Sequence, residues 1–259
     1  MLLRSCKFNG RLIGRSKPYR FCSEQKASGS YNILVIENSF AWNQGDLVYD
    51  AFKNYARRFS VFCIRGCEFM TRINTKLEQC TTYANSYFDA VLDELKPDII
   101  FILSRAFTAK LRFNLTPFSL EKDTIFNDYM NTMKKLEKFA KKVYLLQALP
   151  SCTQHECAKN VWDYVRKNRP LDIVKKQLID RDEFFARLRI EEVGKRCKKC
   201  EIIDYMPLLL DGSGRYLRYD PENGFLYLDG HNHLTDFAKE RIRPLFNRLA
   251  EEFGKAMPV

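Results

Sequence analysis

Asn32-Ile33-Leu34-Val35-Ile36-Glu37-Asn38-Ser39-Phe40 is the stretch on which the fold turns. Its apolar, branched run has the length of one buried strand and stops abruptly at a polar Asn-Ser pair. Beyond it, Leu47, Val48, Ala51, Phe52 and Tyr55 share one helical face, which predicts a helix over 43–59. The alternation then repeats. Strands are expected at 60–64, 99–103, 143–149 and 201–205, with helices at 83–95, 122–141 and 235–253. Apolar strands alternating with amphipathic helices predict an α/β fold: a three-layer α/β/α sandwich on a five-stranded, mainly parallel, flavodoxin-like sheet. Residues 31–259 form that domain in this reading, with 151–196 a charge-rich helical excursion covering the site and 1–30 a flexible basic connector or leader.

In such sheets ligands sit beyond the carboxyl ends of the strands. Ser39, Gly66, Ser104 and Arg105 all fall there. A serine hydroxyl becomes a nucleophile when a base takes its proton, a third group orients the base and backbone donors hold the oxyanion. Ser39 is the candidate nucleophile, and its own N–H with that of Gly66 is the candidate oxyanion pair. Asp229-Gly-His-Asn-His233-Leu-Thr235 supplies the other half, with His233 as base and Asp229 as orienter. Asn38, Arg105 and Trp42 are candidate substrate contacts. The competing reading is architectural: Asn-Ser after a strand is a common turn, and Asn232 or Thr235 can cap the closing helix.

The 259 residues, 46% hydrophobic and 14% aromatic, suffice for one substantial core and exclude a disordered chain. No stretch approaches the ~20 apolar residues of a membrane span, and no secretory signal is evident. Of the formal charge of +11, residues 1–30 carry seven Lys/Arg against Glu24 alone. No basic helix interleaved with stacking aromatics follows, so nucleic acid is not an expected partner. The Arg-rich, acid-poor leader also admits a mitochondrial transit reading, but a connector is the plainer one.

Nine cysteines, with Cys67–Cys80 the preferred bridge, and the sequon Asn114-Leu-Thr116 favour an oxidising, lumenal or extracellular setting. Cys197-Lys-Lys-Cys200 near His231 and His233, and Cys152–Cys157 around His155, hold zinc-type residues without a paired knuckle. No metal and no cofactor is expected, and Asp211-Gly-Ser-Gly-Arg215 reads as a turn rather than a phosphate loop.

The block 33–41 resembles the first block of SGNH (GDSL-like) hydrolases, in which Gly-Asp-Ser or Gly-Asn-Ser follows the first strand. Asn232-His233-Leu234-Thr235-Asp236-Phe237 resembles their last block. Ile102-Leu-Ser-Arg105 is similar to the variant fused to acyltransferase-3 membrane O-acyltransferases, and Cys200-Glu-Ile-Ile-Asp-Tyr-Met-Pro-Leu208 to nematode members of that group. The resemblance implies an esterase or O-acyltransferase acting on an acylated, carbohydrate-like substrate through Ser39, with His233 as base, Gly66 as an oxyanion donor and a membrane acyltransferase as partner domain. It leaves oligomeric state open. Two departures stand out. Glu37 occupies the place of a glycine, and Gly230 that of the aspartate, displacing the nearest acid to Asp229. They raise the alternative of a catalytically degenerate domain kept for binding or interaction.

Overall fold

The computed structural model describes residues 19–25, 29–72, 79–113, 119–152, 157–170, 179–216, 218–220, 222–229 and 231–257. The central sheet has six strands: β1 (Tyr19–Gln25), β2 (Tyr31–Glu37), β3 (Ala56–Ile64), β4 (Ile99–Ile102), β5 (Lys142–Leu146) and β8 (Cys200–Ile203). Their order is β1-β3-β2-β4-β5-β8, and every pairing is parallel except β1 with β3. Helices α1 (Ser39–Phe52) and α6 (Asp236–Ala256) cover one face. Helices α2 (Gln79–Leu95), α3 (Thr124–Phe139) and α5 (Phe184–Arg196) cover the other. This is the expected three-layer α/β/α sandwich.

Period-two alternation in β2 divides the core. Ile33 and Val35 pack with α1 and α6, while Leu34 and Ile36 pack with α2, α3 and α5. Both faces are apolar because helices cover both, as parallel sheets require.

Two local expectations shift. The sheet has one strand more than the five anticipated, because Tyr19–Gln25 adds an antiparallel edge within the stretch read as a connector. Its alternation was hidden by the surrounding basic residues. The first helix runs 39–52 rather than 43–59. The Asn38 side chain caps it four residues early by accepting from Phe40 N–H, and residues 56–59 are drawn into β3, which has ladder partners on both sides.

Among its described residues the excursion contains a two-stranded ribbon, β6 (Ser151–Cys152) with β7 (Ile179–Asp180), and two helices, α4 (Cys157–Arg166) and α5. A buried ion pair ties it to the start of α3 and to the segment after β4. Arg189 donates from Nε and Nη2 to Asp123, at 2.8 and 2.6 Å, and from Nη1 to the carbonyls of Ala109 and Leu111. Asp123 also caps α3 through Phe126 N–H. Removing one partner of such a pair costs roughly 3–5 kcal/mol, because the other charge stays buried.

The Cys67–Cys80 bridge forms, as does Cys197–Cys200; Cys22 is also disulfide-bonded, and Cys63 is a buried free thiol. Cys197 and Cys200 therefore are not zinc ligands in this structure. The sequon at Asn114, residues 153–156 around His155, and Gly230 lie outside the described residues. No helix among the described residues is long and apolar enough to cross a membrane.

Candidate active site

Ser39 is the first residue of α1, immediately beyond the carboxyl end of β2. A helix leaves its first four N–H groups without intrahelical partners, so the Ser39 N–H opens a positive helix terminus at the sheet edge. Strand β3 runs parallel to β2 with Cys63 opposite Glu37, and the turn leaving it contains Gly66 at φ 73°. A left-handed residue suits glycine, and its placement brings the two proposed oxyanion donors to neighbouring strand ends.

His233 Nε2 lies 2.8 Å from Ser39 Oγ, although 194 residues separate them in sequence. Asp229 Oδ2 lies 3.4 Å from His233 Nδ1. The displaced acid thus reaches the imidazole, and the backbone shows how. Leu228 and Leu234 form an antiparallel bridge, Asp229 N–H donates to His233 O, and Asn232 at φ 64° makes the reversal. Asp229 Oδ1 accepts the N–H groups of His231 and His233, both at 2.8 Å. Burial pushes the Asp229 carboxyl up, but the hydrogen bonds from the His233 ring and those two N–H groups hold it below the usual range. With Nδ1–H turned to Asp229, the Nε2 lone pair faces the serine hydroxyl.

Asn38 is buried and fully engaged by protein. Its Oδ1 accepts from Phe40 and Arg105 N–H, and its Nδ2 donates to Ser104 Oγ and Arg105 O. The structure therefore gives it the job of joining the ends of β2 and β4. Arg105 donates from Nη1 to His231 O at 3.3 Å and lies over the Phe107 ring. Burial lowers its pKa to about 10, so it stays cationic at neutral pH. Trp42 is half-buried against the α1/α6 core, with the Arg20 guanidinium of β1 over its ring at 5.4 Å.

The Glu37 carboxyl is turned inward, onto the loop after β3 and the end of β4. The side chain is fully buried. Oε1 accepts from Phe69 and Met70 N–H at 2.7 and 3.2 Å; Oε2 accepts from Asn38 N–H at 3.1 Å and Ser104 O–H at 3.0 Å. Its φ of 140° is a conformation that only glycine adopts freely, which explains the glycine of the resembled motif. A non-glycine there costs roughly 1–3 kcal/mol, and four hydrogen bonds offset that strain.

Asn43 went unnoticed in the sequence. From one turn below Ser39 its Oδ1 accepts Leu234 N–H at 3.0 Å and its Nδ2 donates to Leu234 O at 3.1 Å, gripping the residue next to His233. Asp46 and Asp50, further along the same face, pair with Lys239 and Arg243 of α6 at 3.1 and 2.7 Å. The spacing 43, 46, 50 was the available signal. Arg218 was also missed: it is buried and donates to Asn232 Oδ1 at 2.6 Å, steadying the reversal before His233.

A serine and a histidine at hydrogen-bond distance, oriented by an aspartate at the carboxyl edge of a parallel sheet, define the class of α/β serine-hydrolase-like domains. Residues 5–248 match the family described as SGNH domain (fused to AT3 domains), and the chain belongs to that family. Solved structures of similar fold include a periplasmic domain of a lipopolysaccharide acetyltransferase from Salmonella ser. Paratyphi A. It is 16% identical, with TM-score 0.53, covering 89% of this chain and 85% of that one. An acetyl xylan esterase, AlAXEase, is 14% identical with TM-score 0.47, covering 87% and 98%. A variant of an acetylxylan esterase from Geobacillus stearothermophilus is 11% identical with TM-score 0.44, covering 87% and 96%. No curated protein sequence matches the chain.

Proposed function

We propose that this chain is a serine-dependent O-acyl esterase or O-acyltransferase working through an acyl-enzyme on Ser39. The observation that carries the reading is the 2.8 Å approach of His233 Nε2 to Ser39 Oγ, with Asp229 behind the ring. Ser39 Oγ attacks the ester carbonyl while His233 Nε2 takes its proton. The N–H groups of Ser39 and Gly66 stabilise the oxyanion. When the tetrahedral species collapses, the ester C–O bond breaks and His233 returns the proton to the leaving oxygen. A water or an acceptor hydroxyl then attacks the acyl-enzyme, losing its proton to His233, and Ser39 is regenerated protonated. Asp229 stabilises the imidazolium in both halves.

The substrate class in this reading is an acylated, carbohydrate-like hydroxyl compound. Its support is the family's fusion to AT3 domains and the Salmonella lipopolysaccharide acetyltransferase domain of similar fold. The partner is a membrane acyltransferase domain, and the disulfides agree with a lumenal or extracellular setting. Half-buried Arg105, beside the histidine loop, is a candidate substrate contact.

Reaction of the folded chain with a fluorophosphonate probe tests this directly, with Ser39→Ala as control. Labelling confined to the Ser39 form is expected. Absence of labelling, or labelling that survives Ser39→Ala, would overturn the catalytic reading in favour of a domain retained for binding.

A further inference from the structure

Glu37 is the residue that departs most plainly from the glycine of the resembled motif, yet the structure builds a site around it. Three segments converge on its carboxyl group: the start of the serine turn through Asn38 N–H, the loop after β3 through Phe69 and Met70 N–H, and the end of β4 through Ser104 O–H. These are the segments that carry Ser39, Gly66 and Arg105. The neighbouring Glu68, also buried, extends the arrangement by accepting from Phe107 and Thr108 N–H. Two acids thus fasten the loops at the carboxyl edge of the sheet.

We propose that Glu37 is a positioning residue for the nucleophile, fixing the turn before Ser39 against the Gly66 loop and the β4 end, and that the proton on its carboxyl couples this scaffold to pH. The proposal rests on Ser39 being the nucleophile. A buried carboxyl group resists ionisation. Burial first, and then repulsion from Glu68, push Glu37 up to about 8, against the opposing hydrogen bonds from Phe69, Ser104 and Met70.

The groups around it offer little compensation. Glu68, in the loop after β3, repels its charge, Tyr129 of α3 feels that charge unfavourably, and Cys63 of β3 lies opposite it in register. Arg105, after β4, is directed to His231 O. His233 and Asp229 lie beyond Ser39. No lysine or arginine among the described residues forms an ion pair with Glu37. In the neutral form, Oε2–H donates to Ser104 Oγ while the carboxyl still accepts from the backbone. In the ionised form, an unpaired buried charge stands behind the developing oxyanion and opposes it.

The test is the fluorophosphonate labelling rate of the full chain from pH 5 to 10, compared with Glu37→Gln and Ser104→Ala. The wild type is expected to lose about tenfold in rate as pH rises through about 8. Glu37→Gln, which cannot ionise, is expected to react more slowly near neutrality, because its amide meets Asn38 N–H donor to donor, and to lack the alkaline fall. Ser104→Ala removes a donor that steadies the ionised carboxylate and is expected to move the fall to higher pH.

Thermal melts across the same range give a readout that does not need activity. The folded pKa lies above the ordinary 4.5. The contribution of Glu37 to stability is therefore complete below 4.5 and lost as pH rises through about 8. The melting temperature of wild type should decline over that window relative to Glu37→Gln. An alkaline fall unchanged in Glu37→Gln, or a melting-temperature difference that does not vary with pH, would overturn the proposal. A wild type that never labels removes the Ser39 reading and the positioning role with it, while the melts still decide whether this carboxyl titrates as the scaffold requires.

Discussion

Ser39 leaves a strand that is hydrogen-bonded on both sides, whereas His233 leaves an arm of turns and isolated bridges. Strand β2 is laddered to β3 and β4 over most of its length, its apolar residues are buried, and Asn38 locks its end to Arg105. Among its described residues, the arm from Leu210 to Leu234 has three isolated bridges, Leu210–Tyr216, Tyr219–Leu226 and Leu228–Leu234. Beyond its local backbone turns and the burial of Tyr227, Leu228 and Leu234, it is held by side chains: Asn43 on Leu234, Arg218 on Asn232, Arg105 on His231 O, and Arg241 on Asp220 at 2.8 Å. Ser39 is thus placed by backbone that most substitutions leave intact. His233 depends in addition on a handful of side chains, each of which a single substitution removes.

The largest effect is expected at the chemistry itself. Ser39→Ala or His233→Ala should lower ester turnover by about 10⁶-fold, leaving the melting temperature near that of wild type, as measured by release of acid from a simple acetyl ester. Asp229→Asn comes next, at about 10²–10⁴-fold, since a carboxylate at 3.4 Å orients the imidazole and stabilises its charged form. A loss under tenfold would show that the arm holds His233 without the acid. Asn43→Ala is the sharpest probe of the contrast. It should lower kcat by ~10–10²-fold with little change in KM, because the base drifts while the serine stays fixed. An unchanged kcat would mean that the closing helix alone places the arm. Arg243→Ala, which removes a partly exposed tie between the two helices, should cost less than ~1 kcal/mol in denaturant melts and leave turnover unaltered.

The difference between the two ends also explains what could be read from the chain. The serine end was legible because its signals are local: a branched apolar run, an abrupt polar stop and a helical periodicity. His233 and Asp229 were legible as residue types ahead of a capped helix, and Thr235 does cap α6 by accepting from Ala238 N–H. The Asp229–His233 distance was not, because it depends on the left-handed turn at Asn232 and on Arg218 behind it. Edge strand β1 was masked by its basic surroundings. Glu37 read only as a departure from the glycine of the resembled motif, because sequence gives no direction to a side chain. Its partners Phe69, Met70 and Ser104 lie 32 to 67 residues away.

Hydrophobic periodicity and the Asn-Ser stop determined the three-layer fold and brought Ser39 to the carboxyl edge of the sheet, since burial and hydrogen-bonded geometry act over a few residues. Tertiary structure decided the rest. It brought His233 to the serine hydroxyl across 194 residues, turned Glu37 into the buried fastening of three loops, and made Asn43 the clasp on the histidine arm. Those outcomes rest on hydrogen bonds between segments distant in sequence, whose partners and directions exist only once the chain has packed.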